Sequence, residues 1–213
     1  MVKPSSLVRS ILDNYLSERV DNKNRKVHCF HPSSLASCPR KLYDLYLADD
    51  LSSSDTDPRV KRVFDNGHSA HARIQNYCRE AGILVDENVP VFDSKFEICG
   101  EADAILSIFD VLVVLDIKTI NRSGFTRLTV PSLDYLIQLN VYMYCLGLDH
   151  GILLYECKDD QSFAEFWVPY DQEILIPVFQ KINYVRECIK SGTVPAKDPS
   201  YDCKRCDLAE SCK

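Results

Sequence analysis

Near Gly82 the hydrophobic pattern of the chain changes period. Over residues 59–81 apolar side chains recur at helical spacing, and the glycine supplies the stop. Beyond it come short runs rich in Val, Ile, Leu and Phe, at 97–105, 111–119, 151–157 and 163–168, which read as strands. One helical stretch, Leu133 to Leu146 ending near Gly147, divides them. A last helix is expected over 172–190, stopped by Gly192 and Pro195. Upstream, 7–16 and 33–47 are helical by pattern, with Ser33 or Ser34 as cap and Pro39 in a first turn, while 17–26 and 49–58 read as connections. Helices, two or three strands, a helix, two strands and a helix predict an α/β sandwich around a small mixed sheet.

At 213 residues the chain suits one domain, 1–213. Within it, 1–58 forms a helical N-terminal portion, 59–195 the core, and 196–213 a cysteine-rich tail packing against the N-terminal portion. The longest apolar stretch, 111–115, is strand length, so no membrane span is expected. The start lacks the apolar stretch and cleavage site of a secretory signal, and a cytoplasmic protein is expected. A net charge of −6 neither suggests nor excludes a nucleic-acid partner, because phosphates respond to local patches.

The chemical signal lies where the apolar run 111–115 ends in Asp116-Ile117-Lys118. On a strand Asp116 and Lys118 share a face, and a carboxylate beside an ammonium at a buried strand end is costly unless something compensates. A divalent metal would. Gly100-Glu101-Ala102-Asp103 places a second carboxylate on the neighbouring strand, with Gly100 permitting close approach of backbone or ligand. Two aspartates meeting across a strand pair make an oxygen-rich site suited to Mg²⁺ or Mn²⁺. Taken alone, an Asp-x-Lys triplet is common and reads first as a structural ion pair at a strand end.

Its company is more specific. Gly67, His71 and Gln75 share one face of the long helix, and Gln138 and Tyr142 stand one turn apart on the later one. The series Gly-x-x-x-His, Gly-x-x-Asp, Asp-x-Lys, Gln-x-x-x-Tyr resembles the RecB-type branch of the PD-(D/E)XK nucleases, from Gly67 to Tyr142. The resemblance implies a restriction-endonuclease-like core. It implies that His71, Asp103, Asp116 and the Ile117 carbonyl ligate metal, that Lys118 is the catalytic lysine, and that Gln138 and Tyr142 orient the lysine or a DNA phosphate. His68 lies off the shared face and reads as a surface residue; Tyr135, Leu139 and Tyr144 read as core rather than a base-stacking platform.

Six of the ten cysteines (Cys29, Cys78, Cys99, Cys145, Cys157, Cys188) are scattered and read as small buried hydrophobes. Cys203, Cys206 and Cys212 crowd into a polar tail, where thiolates suit Zn²⁺ or an iron–sulfur centre and leave one position for Cys38. Cys29, flanked by His28 and His31, is the alternative fourth ligand. One N-terminal Cys-Pro-Arg followed by a distant Cys-x-x-Cys-x5-Cys is similar to the iron–sulfur module of the exonucleases that accompany CRISPR adaptation and of their phage relatives. That resemblance implies a 4Fe-4S cluster, with zinc as the rival. Arg40, Lys41, Lys204 and Arg205 beside these ligands suit either a phosphate-binding patch or solvated surface charge.

The combined expectation is a metal-dependent DNA exonuclease preferring single strands, in recombination, repair, replication or spacer acquisition, and suited to a phage. The alternatives are a non-catalytic DNA-binding or scaffold protein that kept the fold, and a structure-specific endonuclease.

Overall fold

The protein is described here by a computed structural model covering residues 7–19, 28–48, 57–198, 200–201, 203, 206, 208 and 212. Helices α1 (Leu7–Glu18), α2 (Pro39–Leu47) and α3 (Pro58–Glu80) precede strands β1 (Leu84–Asp93), β2 (Ile98–Ile108) and β3 (Val111–Ile120). Then follow α4 (Arg122–Thr126), α5 (Leu133–Leu146), β4 (His150–Cys157), β5 (Phe163–Pro169) and α6 (Gln172–Ser191). The connections expected at 17–26 and 49–58 fall largely outside the described residues. No described helix is long and apolar enough to cross a membrane.

The sheet runs β1-β2-β3-β4-β5, antiparallel except for the β3–β4 pair. A parallel pair needs a crossover, and α5 supplies it. Ile74 and Cys78 of α3 pack on Ala104, Leu106, Val113, Leu115 and Ile117. Helix α5 packs Leu139, Tyr142 and Met143 against Val114, Leu153 and Tyr155, and its other sides meet α6 and the short segment before α2. From Ile137 to Met143 every residue of α5 is buried, the polar Gln138 and Asn140 included. Gly151 lets α5 approach the sheet: a Cβ there would stand within 2.9 Å of three Leu139 side-chain atoms.

Two elements differ from the pattern-based expectation. Strand β1 escaped notice because Asp86, Glu87, Asn88 and Pro90 give it the composition of a loop. It lies at the sheet edge, where a proline with no amide to donate is tolerated. The stretch 33–47 is not one helix but a 3-10 turn, Pro32–Ser34, followed by α2. Pro39 takes the first turn as expected, yet it also holds Cys38 extended (φ −64°, ψ 157°), so no helix can run through it. Cys38, not a serine, caps α2: its sulfur accepts from the Lys41 amide at 3.4 Å.

The segment before α2 is pinned to the sheet. Phe30 bridges to Ile98, its amide donating to the Glu97 carbonyl (2.7 Å) and its carbonyl accepting from the Cys99 amide (3.1 Å). Gly100 is the close-approach position that its sequence suggested, and the neighbour is Pro32, whose Cδ would lie 2.8 Å from any Cβ. Helix α1 is tied to α3 by the buried Lys61, whose ammonium donates to the Leu16 and Arg19 carbonyls at 2.7 and 2.6 Å.

Candidate active site

The site opens where two strands separate. Strands β2 and β3 pair from Ile108↔Val111 to Ala104↔Leu115 and no further, while β3 goes on pairing with β4 as far as Ile120↔Cys157. At the same level β1 bends, with Asn88 in the left-handed region (φ 50°) between the Glu87↔Ala104 and Val89↔Ala102 pairs. Asp103 and Asp116 stand in the gap. The expectation of two aspartates across a strand pair is corrected in this detail: the pairing stops to admit them. The Asp103 carboxylate takes over a ladder acceptor's place, receiving the Ile117 amide on Oδ2 at 2.6 Å.

Helix α3 supplies the next layer. His71 Nδ1 lies 3.0 Å from Asp103 Oδ1, and one turn on Gln75 donates to the Asp103 carbonyl (2.8 Å) and to Asn88 Oδ1 (3.2 Å). Arg73 anchors the same helix to β4, its guanidinium reaching both oxygens of the buried Glu156 at 2.8 and 2.9 Å. His68 is exposed on another face of α3. Gly67 has no atom within 4 Å of where a Cβ would stand, so packing does not explain it.

From the opposite side α5 contributes a relay. Lys118 Nζ donates to Asp116 Oδ1 and to Gln138 Oε1, each at 3.0 Å, and Gln138 Nε2 donates to the Tyr142 hydroxyl at 2.8 Å. The amide is thereby oriented, with its oxygen to the ammonium and its nitrogen to the phenol. Asp116 Oδ2 also lies 2.8 Å from the ammonium, but without hydrogen-bond geometry, leaving it buried with no hydrogen-bond partner. A buried carboxylate oxygen balanced only by the adjacent ammonium, with no hydrogen bond of its own, fits a cation site, because its acceptor capacity is left unused.

Electrostatics follow the packing. Burial, partly offset by the charge of Lys118, pushes the Asp116 carboxyl up to about 6. Burial depresses the His71 imidazole, but the hydrogen bond and charge of Asp103, with Asp116 behind it, outweigh this and raise its pKa. Burial, reinforced by the Asp116 charge, holds the Tyr142 phenol well above its ordinary value, so it stays a neutral hydrogen-bonding group.

His71, Asp103, Asp116, Lys118, Gln138 and Tyr142 line one open cleft of about 750 Å³. Tyr135, expected in the core, is 37% exposed instead, and its ring lies 4.5 Å from Lys118 Nζ. Leu139 is buried as read, and Tyr144 is half-buried against the core. The signal for Tyr135 was its position three residues before Gln138, close to one helical turn, which puts it beside the same lysine.

The cysteines separate into two regions. Cys38 stands beside Lys181, whose partly buried ammonium donates to the Ser37 carbonyl (2.9 Å) and to the Tyr201 hydroxyl (3.4 Å) of the tail. Cys203, Cys206 and Cys212 are half-buried free thiols. Arg40 pairs with Asp44 at 3.1 Å, so it is not a free cation for phosphate, and Lys204 and Arg205 lie outside the described residues. Cys78, Cys157 and Cys188 are buried as read and Cys145 is half-buried. Cys29 and Cys99 are a correction: far apart in sequence, they meet as a disulfide with Cα atoms 5.9 Å apart, and His31 lies against both.

No protein-family model matches the chain, and no curated protein matches it. Solved structures do. The crystal structure of SSO0001 aligns over 96% of this chain and 95% of its own, at 19% identity and a TM-score of 0.59. An alkaline exonuclease from Laribacter hongkongensis aligns over 78% of this chain and 90% of its own, at 14% identity and TM-score 0.54. The same exonuclease in complex with dAMP gives 13% and 0.59 over the same shares. The core shares the fold of the alkaline exonuclease, a five-stranded mixed sheet flanked by helices. It carries a helical N-terminal portion and a cysteine-rich C-terminus.

Proposed function

We propose that the protein is a divalent-metal-dependent DNA nuclease, acting as an exonuclease with a preference for single strands, and that Cys38, Cys203, Cys206 and Cys212 hold a 4Fe-4S cluster. The observation that carries the nuclease reading is the convergence of His71, Asp103 and Asp116 with the Lys118–Gln138–Tyr142 relay in one cleft, around a buried carboxylate oxygen without a hydrogen-bond partner. The likeness to an alkaline exonuclease agrees with it. His71, Asp103, Asp116 and the Ile117 carbonyl would hold Mg²⁺ or Mn²⁺. When bound, the ion supplies Lewis acidity at the phosphodiester and a lowered pKa for the attacking water.

The side chains do the rest. Lys118 is held by Asp116 and Gln138 with its ammonium toward the cleft, where it positions the water and offsets charge that develops on the phosphoryl oxygens. Gln138 cannot rotate without losing either Lys118 or Tyr142, so the lysine is preorganised before substrate arrives. Asp103, fixed by the Ile117 amide and His71, keeps its carboxylate in the gap between the strands.

The likeness to SSO0001 over nearly the whole chain, and the meeting of Tyr201 with the Lys181 beside Cys38, support a tail docked on the N-terminal portion. The test is cleavage of a DNA strand labelled at either end, single- and double-stranded, with Mg²⁺, Mn²⁺ or EDTA. Release of mononucleotides from one end of the single strand, only with metal, is the expected outcome. Binding without cleavage under every condition would overturn the proposal.

A further inference from the structure

We propose that in the reduced protein Cys29, His31 and Cys99 hold one thiophilic divalent cation, probed as Zn²⁺, at the N-terminal wall of the cleft. This site is distinct from both the carboxylate site and the tail cysteines, and the proposal does not depend on the nuclease reading. The donor atoms of the three residues all lie within 4.8 Å of one another. His31 Nε2 is 3.8 Å from the Cys29 sulfur and its Nδ1 3.9 Å from the Cys99 sulfur.

Two thiolates and an imidazole are a zinc-type donor set, with a fourth position left for water. Cys29-x-His31 supplies two ligands from one short segment, and the Phe30 hydrogen bonds to Glu97 and Cys99 set that segment in register with the third. Pro32 seated on Gly100 fixes it from the other side. His31 and Cys99 face the cleft, so the open position points to solvent and to whatever the cleft binds. His28 is turned away, its Nδ1 3.2 Å from the Tyr46 carbonyl, and is not a fourth ligand.

The disulfide and the metal form exclude each other. A phosphine gives two electrons and, with one water, becomes its oxide, cleaving the sulfur–sulfur bond to two thiols whose protons come from that water. The cation then binds as the two thiol protons leave. Two sulfurs on one tetrahedral zinc stand about 3.8 Å apart, given zinc–sulfur bonds of about 2.3 Å. Side-chain rotation from Cα atoms 5.9 Å apart can deliver that separation.

The experiment uses full-length protein reduced with a phosphine, desalted without air, equilibrated with Zn²⁺ and desalted again. Zinc content is expected to fall by one equivalent in Cys29→Ser/Cys99→Ser and in His31→Ala, to be retained at this site in Cys206→Ala, and to return in His31→Cys. On the wild type alone, zinc should slow alkylation of Cys29 and Cys99 by about tenfold or more, and a chelator should reverse it. Equal zinc content in wild type and the double serine variant overturns the proposal. So does alkylation of Cys29 and Cys99 at the same rate with and without zinc, a readout that stands even where a variant fails to fold.

Discussion

Asp116 shows how burial raises the proton affinity of an ordinary carboxylate. Its carboxyl is raised to about 6 from an ordinary 3.8, because burial penalises the charge more than Lys118 relieves it. Asp116→Ala and Asp103→Ala are therefore expected to abolish cleavage while DNA binding stays close to wild type, measured by gel shift and end-label release. Binding of Mn²⁺ must displace protons from Asp116 and His71, both raised. Below about pH 6 the dissociation constant, read by calorimetry, should weaken by about tenfold per pH unit for each proton displaced. The sign for stability agrees. Between an unfolded value near 3.8 and a folded value near 6 the native state holds a proton that the unfolded chain has released, so Asp116 lowers metal-free stability as pH rises through that window. The raised His71 contributes stability below its unfolded value, lost as pH rises through the folded one. Added Mn²⁺ should thus raise Tm more at pH 8 than at pH 5. His71→Ala should reduce activity strongly and His68→Ala mildly, since only His71 touches Asp103.

Among the elements, α3 and α5 flank the aspartates and lysine of the sheet, each packed on one face of it and each adding side chains to one side of the cleft. One glycine inside α3 and one beneath α5 separate two kinds of constraint. Gly67 lies inside α3 with nothing near its missing Cβ, so Gly67→Ala should stabilise the free protein by about 0.5–1 kcal/mol through helix propensity. Chemical denaturation checks it. Gly151 sits beneath Leu139, and a methyl there must displace that buried side chain, which lies next to Gln138 on α5. Gly151→Ala should cost about 1–3 kcal/mol by overpacking and lower kcat with the fold intact. Retained activity in that variant would show that the relay tolerates movement of its helix.

The whole molecule is closed on itself if its cysteine centre forms. Cys38 precedes every motif of the cleft and Cys203, Cys206 and Cys212 follow them, so metal–thiolate bonds between them would close a loop of most of the chain. Such bonds restrict the unfolded chain, and cluster binding becomes folding energy. Protein purified without air should be brown and bleach with dithionite. Cys206→Ala should lose the colour, melt lower, and become protease-sensitive near both ends, with activity falling as a consequence. A colourless protein with stoichiometric zinc and no iron would instead support the zinc alternative. A fully stable but inactive Cys206→Ala would place the centre in the chemistry rather than the fold.

Periodicity alone determined the helices on either side of the sheet and four of its five strands, because burial on one face writes a spacing of 3.6 or 2 into the side chains. The order His71, Asp103, Asp116, Lys118, Gln138, Tyr142 likewise named residues that meet in one cleft, whereas Gly67 does not line it. What pattern could not supply was anything decided between elements. Strand β1 carries the composition of a loop and exists through its pairing with β2. The parting of β2 from β3 at Asp103 has no signature in either strand. Tyr135 reads as core until its helix is rotated onto Lys118. Cys29 and Cys99 look like isolated buried thiols because nothing in a linear chain encodes the bridge from Phe30 to Ile98 that brings them together. Local spacing is a property of one segment, whereas a site built from several segments depends on distances that only the packed sheet and helices define.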